Sequence, residues 1–332
     1  MIILSGDIGG THSRIAYYDV NEGRFDPVVE QVYPSIEYTG LEEIIRKFVD
    51  SHGQKCMQAC FGVAGPVHNG RARITNLPWI VDSARLKEGL KLDNVTVIND
   101  LEAIAYSVPV LAPKDYAILN EGEQNPPGNA AVIAAGTGLG EAGLYWDGTR
   151  RVPFACEGGH CDFSPADEIQ DDLLRHLRAQ FGHVSWERMV CGPGLVNIYE
   201  FLRDVRDVPE PDWLKAELRH GDRASQISRH GIDGTNPLCV QALELFVSLY
   251  GSEAGNLALK IMATGGVYLG GGIAPKIIEK LRAPDFMRAF CTKGRMSDLL
   301  KAIPVRVIVN DKAGLIGSAY CATLKLQGIK AI

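Results

Sequence analysis

The chain has 332 residues, 46 % of them hydrophobic, enough apolar content to bury a large core; two lobes suit it best, with one large domain as the alternative. A formal net charge of −6 argues against nucleic acid as a partner, and no apolar run reaches membrane-spanning length, so no membrane partner is expected either. Residues 1–7 carry no basic region and no signal-type apolar stretch, and the eight cysteines form no Cys-x-x-Cys pair, so a cytoplasmic protein with reduced core thiols is expected.

In chain order, β-type runs at 2–5, 13–19 and 28–33 precede an amphipathic helix over 41–52, with Leu41, Ile44, Ile45 and Phe48 at helical spacing. Between the first two strands lies a glycine-rich corner, Gly6-Asp7-Ile8-Gly9-Gly10-Thr11. A buried strand at 57–64 ends at Gly65-Pro66, Asn69-Gly70 marks a hairpin, and 76–79 is a loop. Another buried strand at 95–98 leads into a helix that starts at Asp100, reaches Ser107 and is ended by Pro109.

Beyond a breaker segment at 122–128, with Pro126 and Pro127, the pattern restarts: a strand at 130–135, then a second corner, Gly136-Thr137-Gly138-Leu139-Gly140. Leu144-Tyr145-Trp146 continues as a strand into an Asp147-Gly148 turn. The restart reads as a duplication, two α/β lobes of related plan, the second carrying a large helical insertion. Ser164-Pro165-Ala166-Asp167 predicts a capped helix start, with Ile169, Leu173, Leu174, Leu177 and Phe181 inward and Gly182 as the stop. A long helix follows over 237–260, then a strand at 267–269, the run Gly270-Gly271-Gly272-Ile273 and a helix from Pro275. A strand at 305–309 and a helix over 313–325 close the chain, the helix packing back on the first lobe. The predicted lobes are 1–109, completed by about 310–332, and 110–309.

Two strand–glycine–strand corners form hairpins whose backbone N–H groups can grip one polyphosphate. Gly138-Leu139-Gly140-Glu141-Ala142-Gly143 formally matches the dinucleotide fingerprint, but that fingerprint must open a helix and here the chain turns back at Asp147-Gly148. No Walker-type Gly-Lys-Ser/Thr follows either corner. Asp7, read as lying on the turn, suits a Mg²⁺ ion, which takes few carboxylates, and suits a plain turn equally well. Asp100 is either a simple helix cap or a carboxylate that accepts a proton from a substrate hydroxyl. Glu157 and His160 bracket two glycines in a segment read as too flexible for a regular element, and Glu187 stands ahead of Gly192-Pro193-Gly194. Asn99, Asp100, Glu157, His160 and Glu187 together offer the donors and acceptors a polyol requires. Cys156, His160 and Cys161 lack the second ligand pair that a structural zinc needs.

In this order and spacing the motifs resemble those of the bacterial-type glucokinases, within the actin-like, hexokinase and Hsp70 ATPase superfamily, over nearly the whole chain. The segment Gly6, Asp7, Ile8, Gly9, Gly10, Thr11 resembles the first phosphate hairpin, and Gly136, Thr137, Gly138 the second. Ile98-Asn99-Asp100 resembles the segment with the catalytic aspartate, Glu157-Gly158-Gly159-His160 with Asp162-Phe163 and Ser185-Trp186-Glu187-Arg188 the sugar loops, and the run with Gly271 and Gly272 the adenosine motif. The zinc motif of the related repressor/kinase branch is missing. The resemblance implies an α/β, two-lobed actin-like (ribonuclease H-like) ATPase fold with a cleft between lobes. It implies phosphorylation of D-glucose at its 6-hydroxyl by ATP with Mg²⁺, feeding glycolysis, in a homodimer. Asp100 would be the base, Asn99, Glu157, His160 and Glu187 would hold the sugar, and Asp7 would face the metal. A kinase for another hexose or an amino sugar stays open. A sugar-sensing regulator without turnover ranks lower, since the basic helix-turn-helix such proteins append has no room before Ile2.

Overall fold

In the computed structural model, which describes residues 1–21, 23–123 and 127–326, the first apolar run reaches further than its sequence pattern suggests. Strand β1 (Ile2–Ile8) is followed by β2 (His12–Asn21), β3 (Arg24–Pro34), helix α1 (Leu41–His52), β4 (Gln58–Val63), the short strands β5 (Val67–His68), β6 (Arg71–Arg73) and β7 (Ile80–Asp82), α2 (Ser83–Leu90), β8 (Asn94–Asn99) and α3 (Asp100–Ser107). The main sheet has the order β3-β2-β1-β4-β8. Because β1 pairs antiparallel with β2 on one side and parallel with β4 on the other, the ladder holds it extended through Ile8. Asp7 therefore sits inside the strand, in register with Arg14, and not on the turn where the sequence pattern puts it. Gly6 is likewise a packing position, since a Cβ there would lie 2.5 Å from Phe61 Cδ1.

A first compact unit comprises Met1–Asp115, Thr149–Ala155 and the chain from Asn310 on. The closing helix Ala313–Leu326 covers β1, β4 and α3 in it. Ser5 Oγ donates to the Leu315 carbonyl at 2.7 Å, and Ser318 Oγ to the Gly6 carbonyl at 3.2 Å.

The second unit comprises Tyr116–Gly148 and Cys156–Val309. In chain order the remaining elements are β9 (Tyr116–Asn120), β10 (Ala130–Ala135), β11 (Leu139–Trp146), β12 (Arg151–Cys156), α4 (Glu168–Phe181), α5 (Gly192–Asp204), α6 (Asp212–Glu217), α7 (Arg223–Ile232), α8 (Pro237–Ile261), β13 (Val267–Gly270), α9 (Ile278–Arg282), α10 (Pro284–Cys291), α11 (Ser297–Ala302) and β14 (Val305–Ile308). In the second unit the strands β11-β10-β13-β14-β9 lie side by side in that order. As in the first sheet, the leading strand β10 pairs antiparallel with its successor and parallel with a later strand, so the two sheets repeat one plan. The sequence pattern misses β9, which joins this sheet at its edge, and β12. Part of the predicted breaker segment, 124–126, lies outside the described residues.

Helix α4 starts later than predicted. Asp167, not Ser164, is its cap, accepting from Gln170 N at 3.0 Å, while Gln170 Oε1 accepts from Ala166 N at 3.0 Å, one residue ahead of the cap. Phe181, expected inward, is 38 % exposed, with the Arg188 guanidinium 4.2 Å over its ring. After Pro275 the chain makes only a 3-10 turn and the short α9.

Candidate active site

In the first unit the glycine corner narrows to the turn at 9–11. Gly9 N donates to His12 O at 2.9 Å, the buried Ser35 donates from Oγ to Gly9 O at 2.8 Å and from N to Thr11 O at 2.9 Å, and a Cβ on Gly10 would lie 3.0 Å from Thr75 O. The turn is propped from beneath while Thr11 is exposed. Burial raises the Asp7 carboxyl above the usual carboxylate range, and Arg14, its strand neighbour, works against that rise. Arg14 also donates to the carboxylate and the carbonyl of Asp311, each at 3.0 Å. A Mg²⁺ ion that arrives with a nucleotide needs one or two protein carboxylates, and Asp7 next to the turn fits that modest demand.

At the β8–α3 junction the helix cap is Asn99, not Asp100. Its Oδ1 accepts from Leu101 N at 2.9 Å and Glu102 N at 3.4 Å, and its Nδ2 donates to Gly65 O at 3.1 Å. Gly65 has φ +143°, and a Cβ there would lie 2.6 Å from Arg73 O, so the junction depends on glycine. Asp100 is the first helical residue, with its Oδ1 accepting from Leu101 N at 2.9 Å. An anionic carboxylate at a helix N-terminus is stabilised by the helix dipole.

In the second unit the second corner, the loops bearing Glu157, His160 and Glu187, and the glycine run come together. Gly136 N donates to Gly138 O at 2.9 Å, and Gly192 N donates to Gly136 O at 2.8 Å. Leu139 N donates to Glu187 Oε2 at 2.9 Å, and a Cβ on Gly138 would lie 2.5 Å from that same oxygen. Gly271, at φ +78°, packs on the backbone of Ala135, whose carbonyl accepts from Ile273 N at 3.2 Å. A cavity of about 1000 Å³ is lined by Gly136, Thr137, Gly192, Arg223, Gly272 and Lys276, among others. Arg223 and Lys276 are functional candidates that sequence reasoning missed. Lys276 directly follows the glycine run's Pro275, a usable signal, whereas Arg223 reaches the cavity only through the packing of α7.

The 157–160 segment is more regular than its glycines suggest. It forms a 3-10 turn, His160 N donating to Glu157 O at 3.1 Å and Cys161 N to Gly158 O at 2.9 Å. Gly159 is buried where a Cβ would strike the Leu139 carbonyl. The chain after the turn is zipped to the Glu187 loop: Trp186 N donates to Cys161 O at 3.1 Å, Phe163 N to Val184 O at 2.9 Å, and the Phe163 and Trp186 rings meet edge to face at 4.9 Å. Leu139 is thus the point touched both by the Glu157/His160 turn and by Glu187. Glu141, two residues on and buried beneath that turn, also went unnoticed; a lone acid in an apolar strand was its signal.

Among the described residues no group of three or more His, Cys, Asp or Glu side chains can hold a metal, and no helix is long and apolar enough to cross a membrane. The model of the family described as Glucokinase matches residues 4–325. A glucokinase of a Nostoc strain is 38 % identical, with 97 % of this chain and 98 % of that protein aligned. A Synechocystis glucokinase is 40 % identical over 96 % and 97 %. A solved glucokinase from an Antarctic psychrotroph superposes with a TM-score of 0.85 at 32 % identity, covering 97 % of this chain and 98 % of that one. These matches agree with the repeated sheet plan in assigning the actin-like ATPase fold, and the chain belongs to the glucokinase family.

Proposed function

We propose that Asp100 is the general base of an ATP-dependent glucokinase, that Asn99, Glu157, His160 and Glu187 hold D-glucose, and that the two glycine turns with Gly271 and Gly272 hold the nucleotide. The reaction, phosphorylation of D-glucose to glucose 6-phosphate at the expense of ATP, is that of the family. The observation that carries the residue assignment is the Glu187–Leu139 hydrogen bond, which ties a sugar-loop carboxylate to the backbone of a phosphate turn.

In this reading Asp100 accepts the proton of the sugar 6-hydroxyl as its oxygen forms a bond to the γ-phosphorus. The bond from that phosphorus to the bridging oxygen of ADP breaks, and ADP leaves with the electron pair. Asp100 opens α3 with its Oδ1 accepting from Leu101 N at 2.9 Å, which fixes the side chain this reading uses as the base. Backbone N–H groups of the turns, with Arg223 and Lys276 along the cavity wall, balance the charge of the polyphosphate. Mg²⁺ bound with ATP supplies further charge neutralisation, and Asp7 is the carboxylate we assign to face it. Glycolytic use of the product in the cytoplasm and a homodimeric assembly complete the reading; sedimentation tests the latter.

A coupled assay over a panel of hexoses and amino sugars, with ATP as donor, tests the reading. Glucose should have the highest kcat/KM, and a higher value for another hexose or an amino sugar would replace glucose as the substrate.

A further inference from the structure

Beneath the 157–160 turn lies a pair of acids that the mechanism leaves unused. Glu141, in the middle of β11, is 1 % exposed, and Glu253, in the middle of α8, is 0 % exposed. Glu253 accepts from Asn256 Nδ2 at 2.8 Å and from Lys260 Nζ at 3.2 Å. Neither oxygen of Glu141 has a hydrogen-bond partner of that kind. A Cβ on Gly158 would run into the Glu141 carboxyl, so the turn bearing Glu157 and His160 rests directly on it. Two ionised carboxylates facing each other in a buried site, one without a donor, is an arrangement that burial and like charge both oppose. A carboxyl that keeps its proton can donate to its neighbour and removes both problems.

We propose that Glu141 and Glu253 share one proton, and that this carboxyl pair is the support that positions the 157–160 turn, making Glu141 a positioning residue for the sugar site. The inference rests on the reading of Glu157 and His160 as glucose ligands. The proton belongs on Glu141, because Lys260 and Asn256 already stabilise the charge of Glu253. The surrounding groups are few. From α8, Glu253, Lys260 and Tyr250 face Glu141, the Tyr250 hydroxyl donating to the carbonyl of Ile133, its partner in register. From the turn side come Cys156, with Glu157 and Cys161 around it, and Lys293 faces Glu253 while donating to Ser252 Oγ at 3.0 Å. Burial first, and then the charge of Glu253, push Glu141 up to about 8, with Lys260 opposing. Below that pH the proton is held; above it the proton passes to solvent and two like charges face each other under the turn.

The test is steady-state kinetics of the full chain from about pH 6 to about pH 9.5, with wild type, Glu141→Gln, Glu253→Gln and Glu157→Gln. Wild-type KM for glucose should climb above about pH 8 toward about tenfold per pH unit, the limiting response of one linked proton, while kcat changes far less. Glu141→Gln, whose amide donates as the protonated acid does, should keep the neutral-pH KM and lose the alkaline climb. Glu253→Gln should flatten the same limb, and it carries the test if Glu141→Gln does not fold. An alkaline climb that persists in a folded variant, or a neutral-pH KM sharply raised by Glu141→Gln, overturns the proposal. Infrared difference spectra at neutral pH, wild type minus Glu141→Gln, supply a readout independent of sugar: the carbonyl stretch of one buried carboxylic acid should be present in wild type and lost in the variant. Its absence from wild type overturns proton sharing whatever the kinetics. An unchanged glucose KM in Glu157→Gln would instead overturn the sugar-site reading, and the positioning role with it, leaving the infrared result standing.

Discussion

The Glu187 carboxylate accepts the backbone N–H of Leu139 at 2.9 Å, and the same oxygen lies where a side chain on Gly138 would begin. One carboxylate therefore fixes the exit of the second glycine turn while belonging to a loop that the sequence assigns to sugar. Glu187 holds its own place through its carbonyl, which accepts from Cys191 Sγ at 2.9 Å, and through the loop zipped at Trp186.

Removing that carboxylate should affect both substrates. Glu187→Ala leaves Leu139 N without its partner, and a hydrogen bond to a charged group contributes about 1.5–3 kcal/mol, so KM for ATP and for glucose should each rise about ten- to a hundredfold. Glu187→Gln keeps an acceptor for Leu139 and should spare ATP while still raising the glucose KM. Initial-rate measurements with each substrate varied in turn check this; equal effects of Gln and Ala on ATP would remove the bond from its bridging role.

The two glycines that we assign to the nucleotide should behave differently. Gly138→Val places a Cβ against Glu187 and should weaken ATP and glucose together. Gly272 lines the cavity, and a Cβ on it meets nothing within 4 Å, so Gly272→Val should fold normally and weaken ATP alone. Isothermal titration of each variant with glucose and with a non-hydrolysable ATP analogue separates the two patterns.

Asp100→Asn should retain the fold and most glucose affinity and lose about 10²–10⁴ in kcat, the usual worth of a general base. The amide is isosteric and its oxygen still accepts from Leu101 N, so α3 is not expected to unravel. A purified variant with near-normal kcat would take Asp100 out of the base role.

Asn99 carries a structural role that its neighbour does not. Asn99→Ala removes the cap of α3 and should cost about 0.5–2 kcal/mol of stability, visible in urea unfolding, before any effect on sugar is counted. Asn99→Asp keeps the capping oxygen and loses the donor to Gly65 O, and should be the more stable of the two.

The sequence by itself determined the repeat, most strands and long helices, and singled out the segments to which we assign the chemistry. These follow from local physics: apolar runs of strand length, helical spacing in α1 and α8, and glycines where a chain must turn or admit another backbone. It did not determine what lies between those segments in space. Asp7 reads as a turn residue until β2 and β4 pair on both sides of β1 and carry the strand through Ile8. Asp100 reads as the cap in one dimension, and the carbonyl of Gly65, brought alongside by β4, gives the Asn99 amide its partner and Asn99 the role instead. Glu157, His160 and Glu187 are recognisable one by one, but only the folded second unit sets the turn of the first two and the carboxylate of the third against Leu139. Glu141 and Glu253 stand 112 positions apart, each an unremarked acid in an apolar stretch. The packing of α8 across the sheet makes them neighbours, and with burial removing the water that would keep both ionised, the fold rather than the sequence decides their charge.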